Sequence, residues 1–147
     1  MCLYIHVRNT EEILKELRKN NGKGVMLKRL RYRQKADGQY ELVSPFIEKV
    51  FSPGDNVSDR DYGKDLSIDE KARREVEHGI HVFTSIARAK HYMKPDEIIV
   101  PVTVREKDFV AAGDDEDAVF VKVHLDKEAY NKTIDAIKQI EVSNNVS

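Results

Sequence analysis

The sequence predicts an α+β fold. One domain spans residues 1–142, on a largely antiparallel or mixed sheet, continuous or split, with helices packed against it; 143–147 form a short flexible tail. Two observations carry this. Runs with a period of two outnumber helical runs, and the two kinds do not alternate strictly as they would in a parallel sheet. The chain has 147 residues, 40% hydrophobic and 35% charged, which suits one buried core under a polar surface.

The elements follow in order. Leu3, Ile5 and Val7 alternate with Tyr4, His6 and Arg8 as a half-buried strand. Asn9-Thr10-Glu11-Glu12 opens a helix, with Asn9 as cap, Glu12 as its capping-box partner, and Ile13, Leu14 and Leu17 on one face. Asn20-Asn21-Gly22 ends it, because Asn and Gly tolerate a left-handed backbone. Val25 to Gln34 and Tyr40 to Val43 flank Asp37-Gly38, a hairpin signal. Phe46 to Phe51 reads as a short strand and Asp55 to Asp65 as a polar loop. Ser67 and Glu70 form a second capping box, ahead of a helix carrying Ile68, Ala72 and Val76 and stopped by Gly79.

Ile80 to Thr84 is a buried strand, with His81 and Phe83 on the face opposite Ile80 and Val82. Ser85 caps a short helix bearing Ile86, Ala89 and Tyr92. Ile98 to Val104 is a strand in which Pro101 lacks a ladder donor, so an edge position or a bulge is expected there. Phe109 to Ala112 is a further strand, and 113–117 form an acidic turn. Val119, Val121, Val123 and Leu125 alternate with Phe120, Lys122 and His124 as one strand. Asp126 caps a last helix with Tyr130, Thr133, Ile134 and Ile137 at helical spacing.

Composition narrows the function. A net charge of -1 disfavours bulk binding to nucleic acid or a membrane surface. No apolar run is long enough to span a membrane, and the N-terminus lacks the pattern of a signal peptide. The single cysteine, Cys2, fits a reducing compartment, so a cytoplasmic location is expected. Asp59, Asp61, Asp65 and Glu70 depart from a calcium loop, and His78 and His81 lack further ligands at zinc spacing, so no metal is expected. Arg29, Arg31 and Arg33 share one strand face, which is either a phosphate or nucleic-acid grip or, preferably, a solvated surface.

From Gly79-Ile80 through Tyr92, the chain resembles the second motif of the ADP-ribosyltransferase core in its poly-ADP-ribose-polymerase-like branch. His81 and Val82 stand where that motif has aromatic residues, and Tyr92 falls at its second tyrosine. An apolar strand follows, and Glu116 then precedes another, where the family places its catalytic glutamate. The resemblance implies a split sheet holding NAD in a cleft, with Tyr92 stacked on the nicotinamide, His81 lining the cleft and Glu116 binding a ribose hydroxyl. The family's His-Gly-Ser or His-Gly-Thr motif is missing, and Ala89 replaces a serine of the second motif. The chain also looks like small uncharacterised phage and bacterial proteins.

Three functions follow as expectations. The first is an accessory module of this fold without the full catalytic set, binding an unknown protein or a small nucleotide-like ligand. The second is an NAD-dependent transferase or glycohydrolase. The third is a phosphate or nucleic-acid binder using the hairpin. For each residue the plainer alternative is preferred or equal: a solvated acidic turn at Glu116, core packing at Tyr92, a half-buried histidine at His81.

Overall fold

The computed structural model describes residues 3–45, 49–58, 75–76, 79–91 and 93–145. Helices α1 (Val7–Lys19), α2 (Ile86–Lys90) and α3 (Lys127–Asn145) accompany eleven described strands, and every described strand pair is antiparallel, so the fold is α+β. No helix among the described residues is long and apolar enough to cross a membrane.

The small pair is β1 (Leu3–Tyr4) with β6 (Glu75–Val76). Val76, expected on a helix, is therefore in a strand, and Ser67, Ile68, Glu70 and Ala72 lie outside the described residues. The large sheet runs β5 (Gly54–Val57), β11 (Lys122–Leu125), β8 (Glu97–Arg105), β2 (Lys23–Gln34), β7 (Ile80–Phe83), β10 (Asp117–Phe120), β9 (Phe109–Ala112). The hairpin partner β3 (Tyr40–Val43) joins the far end of β2, and β4 (Val50–Phe51) pairs with β3.

This sheet has a waist. β2 and β8 pair along nine registers, Lys23↔Arg105 through Arg31↔Glu97, whereas β2 meets β7 at the single register Leu27↔Phe83. One half is β5-β11-β8-β2 with β3 and β4; the other is β7-β10-β9. The cleft expected between His81 and Glu116 does not separate their strands: Ile80–Phe83 and the start of the valine-rich strand are direct neighbours, Phe83↔Asp117 through Ile80↔Phe120. The gap between sheet halves lies between β2 and β7.

The valine-rich strand is also two strands. It breaks at Val121, whose N–H donates to Asp108 O at 2.8 Å and whose carbonyl accepts from Ser58 N at 2.7 Å. β10 then belongs to one half of the sheet and β11 to the other. Alternation reports which face a residue takes, not which strand lies beside it, so the crossing left no mark on the pattern.

Other departures have local causes. His6, not Asn9, caps α1: its Nδ1 accepts from Asn9 N at 3.2 Å. Asn9 instead donates from Nδ2 to Gly113 O at 2.9 Å, holding α1 to the acidic turn. Part of the expected 55–65 loop is strand β5, because Asn56 folds its amide back onto Ser52 and Gly54 and closes the turn itself. β8 is an interior strand, yet β11 joins it at the register Thr103↔His124, two residues beyond Pro101, so the missing donor disturbs no described pairing there. α3 continues to Asn145, past the expected start of the tail.

The main core lies where α1 and α3 cover the sheet, around Leu30, Leu42, Val82, Val100, Phe120 and Ile137. A smaller cluster, Leu3, Val110, Ala111 and Val119, fills the other face of the short half. Gly79 joins these regions with φ +112°, and a Cβ there would overlap Val119 Cγ1. Gly79→Ala therefore combines a strained backbone with a clash in a full core. It should lower stability by about 2 kcal/mol, read from the urea midpoint, and an unchanged midpoint would refute the clash.

Candidate functional site

The waist opens toward α1 as a groove. Its first compartment, about 260 Å³, lies between α1 and the start of β2: Ile13, Glu16, Leu17 and Asn20 on one side, Lys23 to Met26 on the other, and Thr84 at the end. α1 approaches β2 closely because residue 24 is glycine; a Cβ there would sit 3.0 Å from Leu17 Cδ2. The second compartment, about 280 Å³, continues past Ile13, Glu16 and Thr84 to Asn9, Glu12, Gly113, Asp114, Glu116 and Asp117.

Glu116 is held in an unusual conformation at the rim of the second compartment. Its φ is +55°, a left-handed value that costs a non-glycine residue about 1 kcal/mol. Thr84 maintains it, with backbone N–H and Oγ1 both donating to Glu116 O, at 2.8 and 3.1 Å. Glu116 Oε2 accepts from Ser85 Oγ at 3.1 Å, and the same Ser85 oxygen caps α2 by accepting from Arg88 N at 3.2 Å. Arg88 in turn pairs with Asp115 at 2.7 Å, tying the acidic turn to α2.

Asp117 is only 8% exposed. Its Oδ1 accepts from Asp115 N at 3.2 Å, but burial pushes its carboxyl above the usual range. Glu12 and Glu16 sit one helical turn apart, and the cations they pair with, Arg8 and Lys19, are exposed, so those pairs screen them weakly. Among the described residues Lys23 is the only cation lining either compartment, and it stands at the opposite end. The groove is thus acidic at one end and apolar along its floor, where Ile13 and Leu17 of α1 lie over Met26; Val25, 71% exposed, alternates with Met26 and faces the other side of the strand.

No protein-family model, curated protein or solved structure matches this chain. The resemblance read in Gly79 to Tyr92 and Glu116 therefore stands on those residues alone.

The three residues it singled out fare differently. Glu116 lines the groove. His81 pairs with Val119 and shares the face of the small cluster, while Ile80, Val82, Ala118 and Phe120 point into the main core under α1. His81 and Glu116 are therefore not brought together, contrary to the expected cleft. Tyr92 lies outside the described residues. Arg29, expected on a solvated face, is buried, and Arg33 is bound to Glu41 at 2.6 Å. Among the described residues no cluster of three or more His, Cys, Asp or Glu has metal-binding geometry. The sequence reading missed Glu12, Glu16 and Thr84; the four-residue spacing of Glu12 and Glu16 beside Ile13 and Leu17 was the available signal.

Proposed function

We propose that this chain is an accessory binding module, and that the groove beneath α1 takes a positively charged segment of a partner protein. The observation that carries this is the groove's composition. An apolar floor of Ile13, Leu17 and Met26 leads to a rim of Glu12, Glu16, Asp114 and Glu116, with buried Asp117 behind it. A floor of this kind suits aliphatic side chains, and the rim suits lysine or arginine. The same rim opposes a dinucleotide, whose diphosphate would have to lie against these carboxylates.

The test is fluorescence anisotropy with a short, end-capped, labelled peptide alternating lysine and valine, set against its glutamate–valine counterpart. The basic peptide should bind, and the acidic one should not. Glu16→Lys, which reverses charge in both compartments, should weaken binding about tenfold or more at low salt. Acidification should weaken binding as Asp117, whose carboxyl burial holds above the usual range, takes up its proton, because only the ionised carboxylate attracts the peptide. Equal affinity for both peptides, or indifference to Glu16→Lys in a folded variant, would overturn the proposal.

A further inference from the structure

The groove is also bounded by a sheet edge. β2 is twelve residues long, and its neighbours divide it unequally. On one side β8 covers Lys23 through Arg31 without a break. On the other side β3 covers Arg31 to Gln34, and β7 touches at Leu27. Among the described residues, Lys23 to Met26 pair with no strand on that second side. Lys23 N–H closes the turn onto Asn20 O at 3.2 Å, which leaves Gly24 to Met26 as the stretch facing the groove.

The chain that would naturally continue this edge turns away. Phe83 is the last residue of β7, and Thr84 is drawn off by Glu116 O. Ser85 then starts α2. What remains, among the described residues, is the groove between β2 and α1, in line with β7, with one β2 edge along it and carboxylates at its far end.

We infer that the partner segment binds here as an added β-strand, antiparallel to Gly24–Met26 and in line with β7. The inference rests on the functional reading above and adds the backbone geometry to it. Every second amide of the partner bonds β2, and alternate side chains face α1 on one side of the sheet and the side of Val25 on the other. Charge complementarity selects the occupant: an extended segment alternating basic and aliphatic residues turns its cations toward α1, at Glu12 and Glu16, and its aliphatic residues to the opposite face, beside Val25.

The experiment uses the same lysine–valine peptide in two N-methylated forms, one blocking the odd amides and one the even. Strand addition predicts that one form loses affinity about tenfold or more while the other keeps it, since only alternate amides face β2. Hydrogen exchange on the full chain should show new protection, when the unmodified peptide is bound, at those amides among Gly24 to Met26 that point away from β8. Equal effects of both methylation patterns, with no added protection, would overturn the inference while leaving the charged groove standing. Failure of the unmodified peptide to bind would overturn both. Concentration-dependent dimerisation without peptide, protecting the same amides, would assign the edge to a second copy of this chain and overturn the heterologous partner.

Discussion

Replacing Glu97 by alanine should cost about 3–5 kcal/mol of stability, the range for stripping one partner from a buried ion pair. Glu97 lies on β8 and Arg29 on β2, and their side chains are 3% and 7% exposed. Arg29 Nε stands 3.5 Å from Glu97 Oε2, an ionic contact without a hydrogen bond at that nitrogen. The rest of the guanidinium is held by His91 O, 3.2 Å from Nη1, and lies 5.9 Å from the centre of the Phe83 ring. Without Glu97, a permanent cation would stay buried against one carbonyl and one aromatic face. Lys94 N–H, which donates to Glu97 Oε1 at 2.7 Å, would lose its acceptor as well, loosening the turn into β8. Urea unfolding measures the loss. A double replacement, Arg29→Met with Glu97→Leu, should recover most of it, because the charge no longer needs compensation. A loss below about 1 kcal/mol in Glu97→Ala would mean that water reaches Arg29.

That pair shows where the sequence stops being readable. The Asp37-Gly38 hairpin, the Asn20-Asn21-Gly22 helix stop and the Ser85 cap were legible because each is settled within a few neighbouring residues. Arg29 read as solvated because it alternates with its neighbours like any surface arginine. Its burial depends on His91, 62 residues along the chain, and on a carboxylate from another strand. The candidate site divides in the same way. Glu116 was found through the strand that follows it, a local cue. The groove it lines depends on β7 leaving β2 after one register and on α1 lying close over Gly24, and neither is encoded in a period of two. The waist also shows why the cleft implied by the resemblance was misplaced: the strands that carry His81 and follow Glu116 pair directly, and the sheet narrows between β2 and β7 instead.

Lys28 supplies the second large effect, in the opposite direction. It follows Met26 and precedes Leu30 on the core-facing side of β2, opposite Val100, and is 6% exposed. Among the described residues no carboxylate lies within ion-pair distance of it; its ammonium sits 5.8 Å from the centre of the Phe51 ring. Burial pulls its pKa from 10.5 to about 8, with Arg29 pushing the same way and Glu97 opposing. At neutral pH the fold therefore holds a charge it would rather release, and this depression corresponds to about 3 kcal/mol. Lys28→Met keeps the aliphatic stem and removes the charge, so it should stabilise the protein by roughly 1–3 kcal/mol at pH 7. Below pH 8 lysine is protonated in both folded and unfolded chains, and the penalty is fully present. Between about 8 and 10.5 the unfolded chain keeps the proton while the folded one loses it, so wild-type stability rises relative to the variant. The gain measured by urea unfolding should thus shrink across that window. A gain independent of pH would trace the effect to packing rather than charge. Glu97 is the attraction that partly holds the proton on Lys28, so the two predictions are coupled. In the Glu97→Ala background the benefit of Lys28→Met should be larger than in wild type, and additivity in that double-mutant cycle would show that the two charges do not sense each other through β2.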